Sequence, residues 1–222
     1  MLHLGSIGGT SIDVDFSFVF IVGLWVANQY QQTRDLKVAL LWAPVLFLSV
    51  LIHEFAHAAM IALFGYGSSS IILGGMGGVT YNRRKARPWH DLVISVAGPV
   101  SSFLLAYACL YLGGFPLFQK DPMLLVLMPT LAWANMLWGK FNLIPVSPLD
   151  GGHATRHFFS MFLRDRTAFI ISVWIGMIVG TIVAIVLAVF REEYLIALLI
   201  GWFVYSNFQQ WQYFRTHGYP GD

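Results

Sequence analysis

The sequence predicts an all-α polytopic membrane protein: six transmembrane helices with a small membrane-associated β-sheet. Three observations carry this. Of 222 residues, 57% are hydrophobic and only 11% charged, with a mean hydropathy of +0.67; a soluble domain carries roughly 25% charged residues. The apolar residues gather into six runs, most of them near the ~20 residues that a span requires. Two glycine-punctuated stretches, residues 2–16 and 65–81, replace the helical pattern with strand-like alternation. The same composition excludes other classes. A net charge of +2 without a long basic run offers nothing to nucleic acid. Cys109 is the only cysteine, so no internal disulfide forms, and it reads as a small apolar packing residue.

The elements follow in order. No Lys/Arg-rich signal peptide opens the chain. Gly5, Gly8 and Gly9 followed by Ile12-Asp13-Val14-Asp15 instead predict a β-hairpin at the membrane surface. The first span is expected from Phe16 to Tyr30 and the second from Leu36 to Phe64. The second would reach roughly 43 Å, beyond the ~30 Å hydrocarbon core, so it must tilt or protrude. Ser68 to Leu73 and Val79 to Tyr81, around Gly74-Gly75-Met76-Gly77-Gly78, predict two short strands. The third span is expected from Asp91 to Gly113, the fourth from Met123 to Ile144, ended by Pro145 and Pro148. A short helix over His153–Leu163 precedes the fifth span, Ala168 to Phe190, and the sixth runs from Tyr194 to Tyr213. Residues 1–222 read as one integral-membrane domain, with no room for a separate soluble one.

Within the second span lies His53-Glu54-Phe55-Ala56-His57. The two histidines are i and i+4, so both face one side of a helix. That geometry suits a tetrahedral Zn²⁺ taking imidazole nitrogens at ~2.0–2.1 Å. Glu54 lies beside such a metal, where a base takes a proton from the attacking water and returns it to the leaving amine. Ionisable groups are costly in hydrocarbon, and their presence inside a span marks a functional site. Among the few acids, Asp150 is distinctive. It follows Asn142-Leu-Ile-Pro-Val-Ser-Pro-Leu149 and precedes Gly151-Gly152. Two prolines and two glycines force the chain out of regular helix, which is tolerated at membrane depth only where it lines a cavity or is buried in protein.

HEFAH followed by the Asn142-to-Gly152 segment resembles the site-2 protease family of intramembrane zinc metalloproteases. The resemblance covers essentially the whole chain. Ala97-Gly98-Pro99 is similar to the family's helix-opening motif, the Gly74-Gly75 strand to its membrane-embedded sheet, and the amino-terminal stretch through Phe18 to its first hairpin. The resemblance implies one catalytic Zn²⁺ held by His53, His57 and Asp150, with Glu54 as general base and acid. It implies that Asn142 helps hold the substrate carbonyl or the developing oxyanion. Ser147 departs from the pattern, where proline is common; it lies off the metal and alters loop stiffness rather than chemistry. The PDZ or nucleotide-sensing modules frequent in relatives have no counterpart in this sequence.

Orientation follows from the basic flanks. Arg83, Arg84, Lys85, Arg87, Arg156, Arg164, Arg166 and Arg215 fall on one side of a six-span chain, against Arg34, Lys37, Lys120 and Arg191 on the other. Both termini and the opening of the site are therefore expected to be cytoplasmic, in a prokaryotic cell membrane given the compact size. His57 lies roughly 10 Å from the cytoplasmic end of its helix, and the fourth span delivers Asp150 to the same side. The expected substrate is a single-span membrane protein whose helix unwinds before attack. Gly74, Gly75 and the strand to Tyr81 are the candidate edge on which it pairs. The lipid bilayer is the other expected partner; a regulatory membrane partner stays open. His153 is the best spare candidate near the aspartate, and Lys140 either faces a wet cavity or snorkels. The competing class is a metal-ion or proton transporter using the same His/Glu/Asp cluster. It is disfavoured because no inverted repeat is visible and a transporter has no need of a Glu inside the histidine pair.

Overall fold

The computed structural model describes residues 1–82, 84 and 86–218. Arg83 and Lys85, used in the charge argument, lie outside the described residues. The element order is β1 (Leu2–Ile7), β2 (Thr10–Val14), α1 (Phe16–Thr33), α2 (Leu36–Leu63), β3 (Ser70–Gly74), β4 (Gly77–Tyr81), α3 (Pro88–Gly113), α4 (Pro116–Gln119), α5 (Pro122–Asn142), α6 (Asp150–Ser160), α7 (Asp165–Phe190) and α8 (Tyr194–His217). The chain divides into two compact units: residues 1–85 with 97–139, and residues 86–96 with 140–222.

The first unit holds the sheet, in the order β1-β2-β3-β4. β1 and β2 form the expected hairpin, joined by Gly8 (φ 58°) and Gly9 (φ 82°) between the paired Ile7 and Thr10. A two-residue I′ turn requires positive φ at both central positions, which glycine adopts without strain. β2 pairs parallel with β3, Ser11 with Ser70 through Val14 with Leu73, and β3 pairs antiparallel with β4. Parallel strands need a long crossover; here α1 and α2 supply it. Asp15 starts α1 by accepting the Ser17 N–H and hydroxyl, and these bonds hold its carboxyl below the usual range. Asp35 caps α2 in the same way through Lys37 N and Val38 N. Val14, Phe18, Val50, Ala58, Ile71 and Leu73 form the core that fastens the sheet to α1 and α2. Asn135 on α5, fully buried, donates to Ser49 Oγ at 2.8 Å and braces α5 on α2.

The second unit is built on α6, α7 and α8. α5 ends at Asn142, two residues before the expected limit, because Pro145 drives the residue before it out of the helical region. The segment 143–149, with a cis Ser147–Pro148 peptide, is packed through Val146 and Leu149 against Ile200 and Phe203 of α8. Asn207 of α8, 1% exposed, donates to the Ser147 carbonyl and to the Phe203 carbonyl, both at 2.7 Å. α6 begins at Asp150, three residues before the expected start.

Four helices, α2, α3, α5 and α7, are long and apolar enough to cross a membrane, which makes this a multi-pass membrane protein. The other two expected spans correspond to α1 and α8. α8 carries Asn207, Gln209, Gln210 and Gln212 in its second half, and its polarity dilutes the apolar signal. Ala97-Gly98-Pro99 does not open a helix; it lies inside α3, ten residues from its start.

Candidate metalloprotease site

HEFAH lies in the second half of α2, and all three polar side chains are buried: His53 is 2% exposed, Glu54 4% and His57 6%. The helical i, i+4 spacing brings the two rings to 5.0 Å between centroids. A ligating nitrogen of each lies within 4.8 Å of the other, close enough to share one ion. Both Nε2 atoms converge on α3 at Gly98. A Cβ there would lie 2.5 Å from His53 Nε2 and closer still to His57 Nε2. The missing side chain leaves a cradle in front of two nitrogens, which is what a metal requires.

A partner for the second ring nitrogen of His53 comes from the same helix. Ser102, fully buried one turn beyond Gly98, places its Oγ 3.0 Å from His53 Nδ1. With the Nδ1 hydrogen directed at that oxygen, the lone pair sits on Nε2, toward the cradle. Metal-ligating histidines commonly donate their second ring N–H in this way. The Trp138 ring stands 6.3 Å from His53, an apolar wall on the α5 side. The donors present in this unit therefore fit Zn²⁺, which favours imidazole nitrogen.

The Glu54 side chain meets β4 of the sheet. Thr80 of β4 donates to its Oε2 at 2.7 Å, and the Thr80 oxygen also lies 3.1 Å from the Glu54 backbone carbonyl. A Cβ on Gly78 would meet the Glu54 carboxyl at 2.6 Å. Gly74 ends β3 and pairs with Gly77, while Gly75 lies in the following turn and gives its N–H to Ser17 Oγ at 2.9 Å. β4 is one of the two edge strands of the sheet, β1 being the other.

In the second unit, Asn142 is buried at the end of α5 and Asp150 is half-buried at the first turn of α6. Gly151 and Gly152 let α6 fold back on the segment that precedes it. A Cβ on Gly151 would sit 2.5 Å from the Ile144 carbonyl, and one on Gly152 would overlap the Ser147 nitrogen. His153 and Lys140 are exposed. His157 Nδ1 lies 3.8 Å from Asp91 Oδ2. Burial, reinforced by His153 and Arg156, lowers the His157 pKa to about 4. Ser102, Thr80 and Asn207 carried no sequence signal of their own. Ser102 lies three residues after the singled-out Gly98-Pro99, and Thr80 within the singled-out glycine strand.

The Peptidase M50B-like family matches residues 17–146, and peptidase family M50 matches residues 118–187. A zinc metalloprotease of Methanocaldococcus jannaschii is 28% identical over 218 residues, covering 94% of this chain and 60% of the relative. A Mycobacterium tuberculosis relative classed by name with the zinc metalloproteases is 29% identical over 227 residues, covering 92% and 57%. The chain thus spans about three fifths of the length of the curated relatives it matches. A site-2 protease structure from Methanocaldococcus jannaschii superposes with a TM-score of 0.64 at 23% identity, covering 94% of both chains, so the fold is shared. Since the M50B-like match spans more than half of the sequence, the chain belongs to the M50B-like peptidases, the site-2 protease family of membrane zinc metalloproteases.

Proposed function

We propose that this chain is an intramembrane zinc endopeptidase that cleaves single-span membrane proteins in or near their transmembrane segments, the chemistry of regulated intramembrane proteolysis. The observation that carries the reading is the pair of buried Nε2 atoms facing the Gly98 cradle, with a buried carboxylate one residue along the same helix. His53 and His57 would hold the metal, and Asp150 would complete the three protein ligands that a catalytic site keeps beside one open position. When bound, Zn²⁺ supplies Lewis acidity that lowers the pKa of water and polarises a carbonyl.

The remaining work falls to the chain. Glu54 takes the proton of the attacking water and returns it to the nitrogen of the breaking peptide bond. The Asn142 amide is suited to donate to the developing oxyanion. The Gly74-Gly75 turn and β4 offer an extended edge on which an unwound substrate pairs. Residues 1–222 act as a single membrane domain with six spans, α1 and α8 completing the four more apolar helices. Both termini and the water-accessible side face the cytoplasm of a prokaryotic cell membrane.

The test is a Glu54→Gln variant reconstituted with a single-span substrate. The expected result is a metal content equal to wild type with cleavage lost. Cleavage at the wild-type rate would sink the mechanism. Metal flux into liposomes without any proteolysis would favour the transporter reading.

A further inference from the structure

Thr80 sits on the strand that closes the sheet, and its side chain is directed at the reactive end of Glu54. β4 pairs with β3 so that Gly78 is opposite Leu73 and Thr80 opposite Ile71. Paired residues point to the same face of a sheet, and Ile71 and Leu73 are fully buried in the core against α2. Gly78 and Thr80 therefore face α2, while Val79 (48% exposed) and Tyr81 (56%) face away. Each inward residue has a distinct effect on the carboxylate. Gly78 leaves the volume it occupies, since any Cβ would overlap it. Thr80 donates its hydroxyl at 2.7 Å, the length of a charge-assisted O–H···O⁻ bond, roughly twice as strong as a neutral one. The same hydroxyl oxygen also lies 3.1 Å from the Glu54 backbone carbonyl, so the contact locates the whole residue and not only its tip.

We propose that Thr80 is a positioning residue for Glu54, and that β4 thereby sets the register between an edge-paired substrate and the base. The inference rests on the reading of Glu54 as general base. Among the described residues no strand pairs with the outer side of β4. A peptide added there lies on the strand whose inner face holds the carboxylate. The distance from scissile bond to base is then set within five residues of one strand and does not depend on a flexible loop.

The experiment compares Thr80→Val, which keeps the shape and removes the donor, with Thr80→Ser, which keeps the donor. Both are purified with zinc, beside wild type and Glu54→Gln. Thr80→Val is expected to lower kcat about 10- to 100-fold, the scale of a misplaced catalytic group, with KM and zinc content within twofold of wild type. Thr80→Ser is expected to restore most of kcat. In zinc-free protein, infrared difference spectra against Glu54→Gln should show the Glu54 carboxylate stretch displaced in Thr80→Val and unmoved in Thr80→Ser. An inactive Glu54→Gln with a fully active Thr80→Val, or Val and Ser variants that fall together with raised KM, would overturn the inference and leave the base assignment standing. A Glu54→Gln variant that cleaves normally would overturn both.

Discussion

Gly98→Ala is the smallest change that tests whether the α3 cradle exists to seat a metal. The added Cβ would start 2.5 Å from His53 Nε2 and nearer to His57 Nε2, against an ordinary contact of 3.4 Å. His53 Nε2 would have to retreat by about 0.9 Å and His57 Nε2 further, whereas a zinc site tolerates only about 0.2 Å in its ligand distances. His53 cannot retreat freely, because its Nδ1 is tied to Ser102 and its ring stands against Trp138. Overpacking of this kind costs about 1–3 kcal/mol of stability, so the fold should survive while the metal does not. Zinc content after dialysis and competition with a chromogenic chelator are the assays, with thermal unfolding run in parallel. The expected outcome is at least a 100-fold loss of zinc affinity with a modest fall in Tm. Gly23→Ala, in α1 with nothing within 4 Å of its Cβ, serves as the control and should leave zinc binding unchanged. Zinc held by Gly98→Ala with wild-type affinity would refute the idea that the two Nε2 atoms bind it at the cradle.

Two further outcomes follow from the same geometry. Ser102→Ala removes the acceptor for His53 Nδ1–H and should weaken zinc binding about 10- to 100-fold, read by the same chelator competition; an unchanged affinity would show that the ring needs no partner there. His157 gives a pH dependence with a definite sign. Its folded pKa of about 4 lies below the ordinary 6.5, so as pH falls through 6.5 the unfolded chain takes up a proton that the native chain refuses. Stability is then lost between pH 6.5 and pH 4, by at most about 3 kcal/mol. His157→Phe should flatten the fall in Tm over that interval, and parallel curves for the two proteins would refute it.

Much of the fold was legible because membrane helices announce themselves by length and apolarity, and because the hairpin is written in Gly8-Gly9. The chemistry of HEFAH was legible because it is local, five residues on one face of one helix. What could not be read was facing. A helix that is apolar all round carries no stripe to show which side meets which neighbour. Ser102 therefore looked like any small residue in α3, although it lies 3.0 Å from a histidine 49 positions earlier in the chain. Thr80 was hidden for a related reason: alternation predicts a strand but not which of its two faces meets α2. Ala97-Gly98-Pro99 stood out only as a helix-opening motif, since nothing in the sequence says that two imidazoles point at the glycine. α5 stops at Asn142, short of the expected Ile144, because Pro145 disfavours helical backbone in the residue before it.

The parallel pairing of β2 with β3 fixes an order of events. Val14 and Leu73 are neighbours in the sheet but are separated in the chain by α1 and α2. Contacts so distant in sequence form late, after the intervening chain has been placed. Among the described residues β4 pairs only with β3, so the donor to Glu54 arrives after both helices are in position. During synthesis Glu54 on α2 is made before the strand that carries its Thr80 partner. The last strand of the sheet thus completes the surroundings of a side chain that was laid down two elements earlier.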